Sequence, residues 1–300
     1  MERDMAENSA QNAENIKPRF SESRRFIRVL FGRKIVLVAS IILLLNIGVA
    51  IFAGILAPYD PYDQNLSQAL RAPSMEHWLG TDPLGRDVLS RIIYGSRVSL
   101  EVGFIAVGIA AVLGFTTGLL AGYYGGILDT IVSRMVDSLM AIPPMVLTLA
   151  ISAALGGGLQ NIMIAVAIGM SPEYSRMIRG MAMTINHNEY ITAGHSIGAS
   201  NARVMIRHIL PNAFPPLIVL VTLSIGYAIL LEASLSFLGI GIAPPGAAWG
   251  SMVNEGYRYL MTNPVISFAP GGCILIVVLS VNLLGDGLRD ALDPRLRGSL

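Results

Sequence analysis

Glu232 stands in the run YAILLEASLSF, a carboxylate inside a stretch apolar enough to lie in a bilayer. Charge at that depth is costly unless it faces water or protein, so Glu232 either lines a path or gate, or bonds a neighbouring helix. Pro143 and Pro144 are a second feature of this kind. Lacking amide hydrogens, they kink or break their helix and free backbone carbonyls that can face a cavity. Asp137 follows Arg134 by three residues, a spacing that predicts a local ion pair.

Other chemistries find no support. Lys17 and Lys34 are the only lysines and neither follows Gly, so the Gly-Lys-Ser/Thr ending of a phosphate-binding loop is missing. His77, His187, His195 and His208 do not have metal-ligand spacing, and no metal or cofactor is expected. A serine-nucleophile elbow is not expected either, and no His sits mid-span to act as a base. Cys273, the single cysteine, lies in an apolar run and reads as a buried structural thiol.

These residues sit in a chain that is 53% hydrophobic and 14% charged, against about 25% charged in ordinary soluble domains. The class indicated is an all-α polytopic membrane protein. Six spans are predicted: Ile35–Ala57, Val98–Ala121, Ile131–Leu155, Leu159–Met177, Phe214–Leu238 and Ser267–Leu288. The first, 23 residues without a charge, is about 34 Å long as a helix, enough for a hydrocarbon core of ~30 Å. It is too long for a secretory signal. Gly103, Gly108, Gly114 and Gly118 in the second suit close helix approach. The polar residues up to Ser23 read as a disordered tail.

Basic residues set the expected topology. Arg19, Arg24, Arg25, Arg28, Arg33 and Lys34 precede the first span and place the N-terminus inside. Six crossings return Arg289, Arg295 and Arg297 to that side. One loop conflicts: residues 58–97, placed outside, hold Arg71, Arg86, Arg91 and Arg97. Its later part, 82–97, has apolar residues near helical spacing and could lie along the membrane surface. The second outer loop holds Trp249, with Tyr257 at the interface.

Between spans four and five lies a polar island, Ser171 to Asn212, carrying Arg176, Arg179, Arg203, Arg207 and three His. Asn186 with Glu189 predicts a helix start. Gly198 predicts a turn, Ser200 a second cap, and Pro211 a stop. The form is helix, turn, helix, stop.

The island resembles the cytoplasmic loop of permease subunits of bacterial ABC importers. That pattern is Glu-Ala-Ala, three residues, Gly, nine residues, Ile, one residue, Leu-Pro. Here it falls on Thr192, Ala193, Gly194, Gly198, His208, Leu210 and Pro211. Ala193, Gly198, Leu210 and Pro211 match; Thr192, Gly194 and His208 depart. Three more stretches, HWLGTDPLGRDVLSRIIYGSRVSL from His77, LLEASLSFLGIG from Leu230 and DPRLRG from Asp293, are similar to signatures of the dipeptide, oligopeptide and nickel branch.

The resemblance implies a permease subunit that is not itself an enzyme, carrying short peptides or a related small solute across the bacterial inner membrane. It assigns ATPase coupling to Glu189, Thr192, Ala193, Gly194, Gly198, Leu210 and Pro211, and leaves Glu232, Pro143 and Pro144 as candidates for the path or gate. It implies a cytoplasmic tail over 1–34, a first span over 35–57, an extracytoplasmic loop over 58–97, and a five-span core over 98–300 with its coupling loop at 179–212. Both termini are expected in the cytoplasm. Expected partners are a second permease subunit, two ATP-binding subunits, an extracytoplasmic solute-binding protein and membrane lipid, with no nucleic acid. The rival reading is a secondary transporter driven by an ion gradient, for which Glu232 would be the main candidate residue.

Overall fold

A computed structural model describes residues 26–27, 29–242 and 245–292. Arg19, Arg24, Arg25 and Arg28, and the ending DPRLRG with Arg295 and Arg297, lie outside the described residues. Among those described, the regular structure is helical, and the one extended pairing is an isolated bridge between Thr81 and Asp87.

Helix α1, Lys34–Ile51, is apolar on every side. It buries Val36, Ala39, Leu43 and Ala50, while Leu37, Ile41, Leu44 and Leu45 stay exposed. An all-round apolar helix of this kind belongs in lipid. Helix α2, Val88–Tyr124, begins ten residues before the predicted span. The Asp87 carboxylate accepts the Ser90 amide and hydroxyl, both at 2.8 Å, and so caps the first turn. Nothing after that cap interrupts the helix, so residues 88–97 form its opening turns rather than a separate helix along the surface. At 37 residues it is about 55 Å long.

Helices α3, Gly126–Met140, and α4, Pro144–Ala154, meet at 94°. Prolines disfavour helical backbone in the residue before them, and here two follow each other. Pro143 is extended, with ψ 132°, and Pro144 opens the next helix. The predicted third span is therefore a corner. Helix α5, Leu159–Asn186, continues past Met177 and takes in what the sequence presents as the start of the island.

The tightest packing in the bundle is α5 on α2. Its cause is Gly114, Gly118 and Gly122, one per helical turn. A methyl group at these positions would collide with the carbonyls of Ser171, Ser175 and Arg179 respectively. The two backbones therefore touch, as small residues at this spacing allow. Thr117 Oγ1 donates to Ser175 Oγ across the seam at 3.0 Å. Gly103 meets Ile225 and Ile229, whereas Gly108 has no neighbour within 4 Å and plays no part in the approach.

Beyond α5 come α6, Glu189–Ser196, and α7, Asn201–Val204. A π-helical turn, Met205–Ile209, joins α7 to α8, Leu210–Phe237. Helix α9, Trp249–Tyr257, and α10, Val265–Leu292, complete the order. Helix α10 lies between α8 and α1. Among the described residues, four helices are long and apolar enough to cross a membrane: Lys34–Ile51, Val88–Tyr124, the continuous Asn201–Phe237, and Val265–Leu292. The bent α3–α4 pair makes up to five.

Candidate functional site

The polar island forms an arm built on the C-terminal ends of α2 and α5. Ile191, Val204 and Ile209 are buried against Tyr123, Ala182 and Ile185 as a small apolar cluster of their own. The Tyr123 hydroxyl donates to Asn201 Oδ1 at 3.0 Å and lies 3.4 Å from His195 Nε2. One residue of α2 thus touches both helices of the arm. Tyr123 was not among the residues singled out by sequence, because nothing in a tyrosine at a span end distinguishes it from an interfacial anchor.

Gly198 makes the turn with φ +86°, a conformation that L side chains rarely adopt. Its amide bonds His195 O at 2.9 Å and the Ala199 amide bonds Gly194 O at 3.0 Å, closing the end of α6. The Ser200 hydroxyl accepts the Arg203 amide as predicted. Two expectations need correction. Asn186 does not cap α6: it ends α5, and Asn188 is the residue flanking Glu189. Pro211 does not stop the second helix. The π-helical turn before it, with the Leu210 amide bonded to Met205 O, widens the helix, and the chain continues to Phe237.

Glu189, Thr192, Ala193, Gly198 and Pro211 are exposed, and Gly194 and Leu210 are half-buried. The arm thus has a fixed inner side and a free outer side. Gly194-His195-Ser196-Ile197-Gly198 has the Gly-x-Ser-x-Gly spacing that the sequence reading passed over. It is no nucleophile elbow, which needs a strand-to-helix turn. Ser196 ends a helix, with its hydroxyl donated to Thr192 O at 3.0 Å.

Arg176 and Arg179 leave the island for the bundle. Arg176 Nη2 bonds Asp137 Oδ1 at 2.8 Å and Arg179 forks onto Asp129. The expected Asp137–Arg134 pair is thereby corrected. Both arms of the corner at Pro143, α3 and α4, pack on α5, so the acids of α3 meet a different helix. No residue of α3 is buried, and Pro143 and Pro144 are exposed at the corner.

Glu232 is fully buried. Ser236 Oγ donates to it at 2.7 Å within α8, and Ser99 Oγ of α2 at 3.4 Å. The second of these contacts links α8 to α2.

At the opposite end of α2 from the arm, the loop after α1 folds into a compact polar structure. Arg86 and Arg91 are buried there. Arg86 Nε donates to Asp82 Oδ2 at 2.6 Å, and both guanidiniums reach Glu255 of α9, at 3.0 and 3.4 Å. His77 lies between Asp87, at 2.9 Å, and Gln68, at 3.1 Å. Arg97 donates to the carbonyls of Ala50 and Ile51, closing the end of α1. Trp249 is buried, and its indole donates to Ile92 O at 2.9 Å. Arg86, Arg91 and Arg97, three of the arginines that conflicted with the charge rule, thus each reach partners inside the protein.

A helical bundle with several helices apolar enough for lipid and an arm packed on its end fits a membrane transport component. Comparison with known proteins makes this specific: the chain belongs to the family of inner membrane components of binding-protein-dependent transport systems, whose pattern it matches over residues 114–298. Residues 21–73 match the N-terminal transmembrane domain of oligopeptide transport permease C. The dipeptide transport system permease protein of Alkalihalophilus pseudofirmus is 43% identical over 274 residues, 91% of this chain and 90% of that protein. The glutathione transport system permease protein of Pectobacterium atrosepticum is 41% identical over 275 residues, 91% of each. An inward-facing structure of the MetNI methionine ABC transporter shares the fold, with a TM-score of 0.56 at 22% identity over 68% of this chain and 97% of that one.

Proposed function

We propose that this chain is the permease subunit of an ATP-driven importer of short peptides or a related small solute, and that residues 189–211 are its coupling arm. The observation that carries the reading is the two-sided arm. Ile191, Val204 and Ile209 hold it to the bundle, while Glu189, Thr192, Ala193 and Gly198 are free for a partner. A surface that must transmit movement needs both a rigid base and an unoccupied face. The family supplies the partner classes: a solute-binding protein on one side of the membrane and ATP-binding subunits on the other. Dipeptide and glutathione permeases among the relatives supply the solute class.

In this scheme the six crossings are α1, α2, the α3–α4 corner, α5, α8 and α10, with both termini and the arm on the cytoplasmic side. A second permease covers the exposed face of α3, and the path runs between the two. ATP binding biases the pair toward one state through the arm, because only a ligand with different affinity for two states can shift them. Glu232 holds α8 to α2, and the corner at Pro143 and Pro144 gives α3 and α4 separate directions of movement.

Gly198→Val tests the arm. A side chain at φ +86° costs about 1–2 kcal/mol, so the turn shifts. In the reconstituted importer the variant is expected to lose ATPase stimulation and transport together, with assembly of the bundle unchanged. Normal stimulation and transport would refute the role.

A further inference from the structure

We propose that the cavity walled by Arg86, Asn254, Glu255, Arg258 and Tyr259 binds the carboxylate of a small peptide, and that Glu255 occupies its place until the peptide arrives. The cavity measures about 280 Å³ and suits one end of a molecule. Asn254 and Glu255 also wall a second cavity of about 580 Å³, bounded by Gly156–Gly158 and Gly239–Ile242, so Glu255 stands between the two.

The supply of acceptors here falls short of the supply of donors. Arg86 Nη1, Arg91 Nε and Arg91 Nη1 are buried and make no hydrogen bond. Buried donors ordinarily have partners, and a guanidinium has five to satisfy. Asp82 Oδ1 is taken by the amides of Leu84 and Arg86, which leaves Oδ2 facing two arginines. Glu255 Oε2 is likewise shared between Arg86 and Arg91. Arg258 joins Arg86 on the wall as a second positive charge. Another carboxylate would bring two acceptor oxygens in the geometry that guanidinium groups favour. Glu255 is the member able to yield: its side chain is 27% exposed, against 3% for Asp82. If one carboxylate replaces another, the buried charge is unchanged, and the larger cavity receives the remainder of the peptide.

This inference rests on the peptide-importer reading, and its test is separable from it. The full-length chain in lipid nanodiscs, without ATPase or binding protein, is titrated calorimetrically with alanyl-alanine and with alanyl-alanine amide. The acid is expected to bind about tenfold or more tighter than the amide. Arg258→Gln, an exposed position, is expected to remove about that factor for the acid and leave the amide unchanged. Glu255→Gln, which withdraws the internal competitor, is expected to strengthen binding of the acid several-fold. Equal binding of acid and amide, no binding of the acid to wild type or Glu255→Gln, or weaker acid binding by Glu255→Gln would overturn the proposal. No ATPase enters the measurement, so such failure leaves the coupling arm standing, and failure of ATP-driven transport leaves this site standing.

Discussion

Asp82 accepts the Arg86 guanidinium and two backbone amides in a setting almost closed to water. Removing one partner of a buried pair leaves the other charge uncompensated, a loss of about 3–5 kcal/mol. Asp82→Asn is therefore expected to lower the thermal unfolding midpoint of the detergent-solubilised protein strongly. Arg71→Ala, which breaks an exposed pair 3.8 Å long, should change stability by less than about 0.5 kcal/mol. Glu232 allows a different test. Ser236 donates to its Oε1 and Ser99 to its Oε2; Gln keeps a carbonyl oxygen for Ser236 and turns an amide NH2, which the Ser99 hydroxyl can accept, to the other side. Glu232→Gln should retain ATP-driven transport in proteoliposomes; abolished transport in a folded variant would instead make the carboxylate part of the path.

The seam between α2 and α5 is the element on which the others depend, since the arm rests on the ends of both. Gly118 lies against the Ser175 backbone with no room for a methyl group. Leu at this position must separate the helices, at a cost of about 1–3 kcal/mol or more. Gly118→Leu is expected to reduce the yield of monodisperse protein on size-exclusion chromatography, whereas Gly108→Leu, where no neighbour lies within 4 Å, should not. Similar yields from both would show that the seam is looser than its geometry implies. The same arithmetic links sequence to arm: Gly122 seats the end of α2 on Arg179 and Ala182, and the next residue, Tyr123, holds Asn201.

At the scale of the whole molecule, the arm and the Arg86–Glu255 cluster stand at opposite ends of α2, about 55 Å of helix apart. That separation spans the hydrocarbon core with length to spare. Cysteines at Ile197 on the arm and Met75 on the far loop, both about nine-tenths exposed, are expected to face different compartments in a Cys273→Ser background. An impermeant maleimide added to intact cells should label the Met75 position and spare the Ile197 position until the membrane is opened. Labelling in the reverse order would invert the proposed topology and detach the arm from cytoplasmic ATPases.

Composition and the length of apolar runs were enough to determine a helical membrane protein, because a bilayer admits few solutions for the backbone. Gly198 and Ser200 were legible as turn and cap, since those functions depend on a residue and its immediate neighbours. The double proline announced the break in the third span but not its 94° angle. Only tertiary structure showed that Pro211 is carried through a π-turn, that Asp137 pairs with Arg176, that Tyr123 anchors the arm, and that Arg86 and Arg91 are buried with Glu255. Apart from the π-turn, these contacts join residues distant in the chain, and Arg86 and Glu255 are 169 positions apart. Local propensity carries no information about which distant charge will arrive, and that is settled when the helices close on one another.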